Sequence, residues 1–162
     1  MKELFDTMPQ SGTVCWIGIR PERRGRVEEV EQISVSFESG IEGDHYAGKP
    51  GAARQVTLIQ KEHIDTVSSI VGTRVEPELL RRNIVVKGLN LLALKDQKFS
   101  IGTVILKTTG NCHPCSRMET NLGPGGYNAM RGHGGITATV VQGGVISVGD
   151  SVGLIKSGSD QG

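Results

Sequence analysis

No stretch of this chain is apolar for long enough to cross a membrane as a helix. The run Leu91-Leu92-Ala93-Leu94 is four residues, against the roughly 20 that a span requires. Residues Met1 to Asp6 carry no apolar block of the kind a secretory leader needs. A disulfide framework is lacking too, because three cysteines are an odd number and too few. These absences set the expectation of a cytoplasmic protein with reduced thiols and no membrane contact. Charge of one sign is also missing: 18 Lys and Arg stand against 17 Asp and Glu, a formal net charge of +1. A general nucleic-acid binder carries a marked basic excess, so nucleic acid is not an expected partner. That balance still allows a local basic pocket for one phosphate. Aromatic residues are scarce, at 4%.

What is present reads as one globular domain. The chain has 162 residues, 36% hydrophobic and 22% charged, enough to bury a core without cross-links. There is no internal repeat and no low-complexity linker. The simplest division is one domain over residues 13–154, an N-terminal extension over 1–12 and a flexible tail over 155–162.

Short strands dominate the pattern. Thr13 to Ile19 is rich in β-branched residues, and Gln32 to Phe37 alternates Ile33, Val35 and Phe37 with polar partners. Gln55 to Ile59, Asn83 to Val86, Thr103 to Leu106, Ile136 to Val141 and Val145 to Val148 read similarly. Gly102, Gly110, Gly143-Gly144 and Gly149 punctuate them as turns. Helical spacing occurs over Lys61 to Val71, with Gly72 as its C-cap. A shorter helical turn is expected over Glu78 to Arg82, after Pro77. Many strands with one or two short helices predict a mainly β fold, a closed or strongly bent barrel. A parallel α/β fold needs more crossover helices than this.

Ten of the 23 glycines fall between Gly110 and Gly149, a stretch that also holds Cys112, Cys115, His113 and His133. A strand runs into Asn111-Cys112-His113-Pro114-Cys115, so the cysteines sit in a strand-end loop, where scaffolds present reactive groups. Arg117, two residues on, places a positive charge beside Cys115. Four readings of the Cys-x-x-Cys compete. They are an ordinary loop pair, a thioredoxin-like dithiol, a structural zinc site, and one thiolate serving a soft metal cofactor as ligand or sulfur carrier. The dithiol reading is weakened because the motif comes late and precedes glycine-rich sequence with no clear helix. Zinc needs four ligands, so His133, His45 or Cys15 would have to complete the set.

A second cluster spans Gly40 to Gly48, with Gly43-Asp44-His45 at a sharp turn. Its plain structural explanation is a loop whose Asp44 bonds its own backbone. Arg54 and the Arg81-Arg82-Asn83 trio precede strands, and Arg131 lies in a glycine-rich turn. Such arginines are usually solvated charges, but several converging on one cleft make a phosphate site. Neither a Walker motif nor a dinucleotide fingerprint is present. His63 reads as surface, Cys15 as core, and Trp16, the single tryptophan, as a cover for the barrel end.

These pieces in order are Glu42-Gly43-Asp44-His45, Arg54-Gln55-Val56-Thr57, Arg82-Asn83-Ile84, Asn111 to Arg117, Arg131-Gly132 and Gly149-Asp150-Ser151-Val152. That ordered set resembles the MOSC domain, the C-terminal domain of molybdenum cofactor sulfurases, and the length is similar to the small stand-alone bacterial members. The resemblance covers about Val14 to Val152. It implies a strongly bent barrel of the pyruvate-kinase-barrel-like kind, holding a cysteine near a molybdenum cofactor, a pterin with a dithiolene and a phosphate.

The family's Pro-Cys falls on Cys115, as metal ligand or sulfur site. In the larger relatives' Cys-x-x-Cys the second cysteine would fall on Met118, which leaves Cys112 as the other thiol for the metal. The resemblance further implies phosphate contacts from Arg54, Arg82, Arg117 and Arg131, with Asp44 and Asn83 at the cofactor and Asn83 on the pterin edge. His45 or His133 is the implied proton donor, imidazole being the side chain that titrates nearest neutrality.

The implied activity is reduction of N-hydroxylated small molecules. Three cysteines cannot hold a four-cysteine iron–sulfur cluster, and no flavin or nicotinamide motif is visible, so a separate electron donor is expected. The alternative is a sulfur carrier or cofactor-delivery protein working through a Cys115 persulfide with a sulfur-donor protein. Pyridoxal phosphate is not expected on this chain, since the sulfurase domain that binds it is absent. An oligomer is compatible with all of this.

Overall fold

The computed structural model describes residues 1–46 and 49–156. The Ala47-Gly48 end of the glycine-rich cluster and most of the expected tail lie outside them. In chain order the strands are β1 (Gly12–Ile19), β2 (Glu28–Glu29), β3 (Gln32–Ser36), β4 (Gly40–Ile41), β5 (Val56–Gln60), β6 (Ile84–Lys87), β7 (Lys98–Ile101), β8 (Val104–Asn111), β9 (Ile136–Gln142), β10 (Gly144–Ser147) and β11 (Ser151–Leu154). Four short helices accompany them, α1 (Lys2–Phe5), α2 (Lys61–Val71), α3 (Ser116–Leu122) and α4 (Gly126–Met130), with 3-10 turns at Pro77–Leu80 and Leu91–Leu94.

The strands close into a barrel. The order β11-β7-β8-β9-β5-β6-β1 returns to β11, and β2 extends β1 outside the ring. A separate three-stranded sheet, β10-β3-β4, carries the chain toward the Gly43 turn. Every barrel pairing is antiparallel except β5 with β6, which runs parallel with Leu58 opposite Ile84. That pair needs a crossover, and α2 with the Pro77–Leu80 turn supplies it.

Strand periodicity sorts the core into two layers. On β5 and β6, Val56, Leu58, Ile84 and Val86 point into the barrel cluster. Their neighbours Ile59 and Val85 point outward, to a second cluster with Trp16, Ile64, Val67 and Met118. Both faces of these strands are buried, which is why they read as continuous apolar runs. Trp16 belongs to this outer layer and does not cap the barrel end.

Two expectations are corrected. Gly110 is not a turn; it sits inside β8 at a register shift between Thr108 and Gly110, so the strand continues to Asn111. The Cys-x-x-Cys is also followed directly by a helix, since Cys115 is the N-cap of α3. Only Met118 of its seven residues is buried, too few for a period to show. Helix α4 contains Gly126, whose added Cβ would lie 2.7 Å from the Met118 carbonyl oxygen. The two helices therefore pack at a distance that only glycine allows. Glu119 joins them by accepting hydrogen bonds from the N–H groups of Gly125 and Tyr127 at 2.9 and 3.0 Å.

Candidate functional site

Arg82 enters β6 with its side chain buried, at 4% exposure. Its Nε donates to the Gly134 carbonyl at 2.8 Å, Nη1 to Leu80 at 2.9 Å and Nη2 to Cys112 at 3.4 Å. The Cys112 N–H donates in turn to the Gly135 carbonyl at 2.8 Å. One planar fork thus ties the cysteine loop, the turn before β9 and the entry to β6 together. The glycines are what allow it. A Cβ at Gly134 would lie 2.0 Å from the Cys112 oxygen, and one at Gly135, where φ is +86°, 1.9 Å from the Leu58 oxygen. No carboxylate forms an ion pair with Arg82 among the described residues. Burial pushes its guanidinium below the usual arginine value; negative charge at Cys112 or Cys115 would raise it, while Arg54 lowers it.

Arg82 lines a cleft of about 80 Å³ together with Arg20, Arg54, Arg81, Asp44 and Asn83. Four arginines and one aspartate face this space. Asp44 is held in place there: its Oδ1 accepts from the Arg20 N–H at 2.7 Å and its Oδ2 from the Tyr46 N–H at 3.2 Å. Asn83 is also engaged: Oδ1 accepts from the Thr57 N–H and hydroxyl, and Nδ2 donates to Gly18. Burial lowers the Arg20 guanidinium below its ordinary value; Asp44 opposes this and the Arg117 charge adds to it. The Arg117 side chain therefore lies within electrostatic reach of the cleft. His45 rests against Arg20, with Nδ1 3.1 Å from its carbonyl and Nε2 3.5 Å from its Nη2. Cys115 is exposed, whereas Cys112 is 2% exposed and borders a separate hollow of about 170 Å³.

A family model described as the MOSC domain matches residues 43–153. The chain belongs to the MOSC domain family. Among solved structures, the YuaD protein from Bacillus subtilis is similar over 88% of this chain and 94% of its own, at 20% identity and a TM-score of 0.77. YiiM from Escherichia coli is similar over 94% and 73% respectively, at 19% identity and a TM-score of 0.69. YiiM from Geobacillus stearothermophilus is similar over 91% and 76%, at 18% identity and a TM-score of 0.71. No curated protein matches. At such identities these structures establish a shared MOSC fold.

In this MOSC chain the residues named from sequence divide into two groups. Asp44, Arg54, Arg82 and Asn83 line the arginine cleft, His45 touches its Arg20, and Arg117 and Cys115 lie within electrostatic reach of Arg20 and Arg82 respectively. His133 does not join them. Its ring meets His63 edge-on with centroids 5.0 Å apart, and its Nδ1 lies 3.1 Å from the Ala129 carbonyl. Burial and the neighbouring His133 hold the His63 imidazole below its ordinary value, against the pull of Glu62. Arg131 is exposed, with Nη1 3.4 Å from Asn128 Oδ1.

Arg20 and Arg81 line the cleft and were not singled out from sequence as its ligands. Arg20 follows β1 and precedes Pro21, and its nearness to Asp44 is a contact across 24 residues. Arg81 adjoins Arg82, and its positive φ of 62° ends the 3-10 turn and directs the chain into β6. Among the described residues no three His, Cys, Asp or Glu side chains converge as a metal site, so the four-ligand zinc reading has no cluster to rest on. No helix among them is long and apolar enough to cross a membrane.

Proposed function

We propose that this MOSC protein binds a molybdenum pterin cofactor by its phosphate in the arginine cleft and reduces N-hydroxylated compounds with electrons from a separate donor. The observation that carries the reading is Arg82, a buried guanidinium without a carboxylate partner, on a cleft that three more arginines share. A buried cation favours an anion nearby, and guanidinium forks match phosphate oxygens in pairs. Cys115, within electrostatic reach of Arg82, adds a soft thiol. When bound, the cofactor supplies two-electron redox chemistry at molybdenum.

The chain's own residues divide the work. Arg20, Arg54 and Arg81 hold the anion, and Arg82 adds charge while fixing the cysteine loop. Asp44 fixes the backbone at Arg20 and Tyr46, and Asn83 keeps β5 against β6, so both act by positioning and not as ligands. His45 stands beside Arg20 as the proton donor of the site. In the overall reaction the N–O bond of the substrate breaks and its oxygen leaves as water. Two electrons from the donor and two protons complete the balance.

The exposure of Cys115 favours a second reading, a carrier whose persulfide is handed to a partner enzyme. Protein made in a host able to synthesise the cofactor separates the two. Molybdenum in the wild type, lost in Cys115→Ser, together with turnover of an amidoxime by an artificial donor supports the reductase. Bound cofactor without turnover, or a persulfide on Cys115, supports the carrier. A folded protein with neither molybdenum nor persulfide rejects both.

A further inference from the structure

A second hollow, of about 270 Å³, lies on the outer face of β1 and β6 beneath α2. Cys15, Trp16, Ile64, Val75 and Val85 form its apolar lining. Trp16 is 7% exposed, yet its indole N–H has no hydrogen-bond partner among the described residues. The N–H is therefore free to donate to a molecule in the hollow. The six-membered edge of the ring backs onto Gly18, where an added Cβ would lie 2.1 Å from a ring carbon.

The rim carries charge of the opposite sign to the arginine cleft. Lys61 pairs with Asp65, and Arg74 with Glu76 at 3.0 Å, which consumes both cations. Glu29 and Glu78 also line the hollow and form no ion pair among the described residues. Two carboxylates are therefore left facing an apolar, aromatic-walled space with one unused donor.

We propose that this hollow is a second small-molecule site, for an amine with a compact apolar ring and a hydrogen-bond acceptor. The ring fills the apolar lining, the acceptor takes the Trp16 N–H, and the ammonium group meets Glu29 and Glu78. The chemistry is the reverse of the arginine cleft, so the two sites do not compete for one ligand.

Trp16 is the only tryptophan, so its emission reports on this site alone. The probe is trans-4-aminocyclohexanol, with cyclohexanol and cyclohexanecarboxylate as neutral and anionic controls. The amine is expected to change Trp16 emission saturably, with cyclohexanol about tenfold weaker and the carboxylate weaker still. Val75→Phe fills the hollow and is expected to abolish the response. Glu29→Gln with Glu78→Gln is expected to erase the preference for the amine over cyclohexanol without unfolding the protein. The proposal is overturned by the absence of a saturable change, by equal affinity for amine and carboxylate, or by an amine preference that survives the double glutamine variant.

Discussion

Gly18 borders a cleft that four arginines share, and two residues earlier Trp16 floors a hollow rimmed by unpaired glutamates. The two spaces meet β1 at neighbouring residues, and a chain of net charge +1 gives neither its sign. In the cleft, one lining carboxylate, Asp44, faces four guanidinium groups, and positive charge remains in excess. In the outer hollow, Asp65 and Glu76 occupy the cations, and carboxylate charge remains. Local sign is set by which charges find partners close by, and overall composition is a poor guide to it.

The sharpest way to break this contrast is Arg82→Ala. It removes three hydrogen bonds from a buried cation and frees the carbonyls of Leu80, Cys112 and Gly134. A loss of about 3 kcal/mol or more is expected, because charged hydrogen bonds are the strong ones. Chemical denaturation would read it, and Arg82→Lys should not rescue, since an ammonium group cannot copy the fork. Gly18→Ala comes next and disturbs both spaces together, by pressing on Trp16 and on Val27. Overpacking of this kind costs about 1–3 kcal/mol. A shift in Trp16 emission with weakened phosphate binding is the expected pair of signals, and an unchanged spectrum would mean that the wall between the two spaces is soft.

Arg54→Ala sharpens the contrast. Arg54 is exposed, so stability should change by less than about 0.5 kcal/mol, while inorganic phosphate affinity falls about tenfold. Stabilisation by phosphate in a thermal melt measures the loss. Trp16 emission should not respond to this change.

The smallest effect belongs to Glu119, far from either space in chemistry. Hydrogen bonds from Gly125 and Tyr127 hold its carboxyl below the usual glutamate range. A depressed folded value means its stabilisation is present above the unfolded value and fades as pH falls through the folded one. Glu119→Gln should flatten that part of the stability profile in acid, measured by melting temperature against pH.

The barrel was legible because its signals are local: alternation in β3, β-branched runs in β1 and β6, and the Gly72 stop after α2. Such signals do not reach α3 and α4, whose stability comes from the Glu119 cap and close packing at Gly126 and not from any apolar period. The site was half legible. Arg54, Arg82 and Cys115 came from an ordered set of short motifs, whereas Arg20 joined through contacts distant in sequence. His133, named from a glycine-rich turn that offers no clue to direction, faces His63 and does not line the cleft. Trp16 shows the same limit, since a bulge between Val14 and Trp16 decides which side of β1 it takes.

The seam between β1 and β11 carries a kinetic consequence. Gly12 pairs with Val152, so the ring has no closed form until nearly the whole chain has been made. Contacts that far apart in sequence form slowly. During synthesis β1 and β7 both wait with open edges, and open edges recruit other strands. A chain cut before Ser151 would keep those edges for good, so aggregation rather than simple loss of binding is the expected fate of such a fragment.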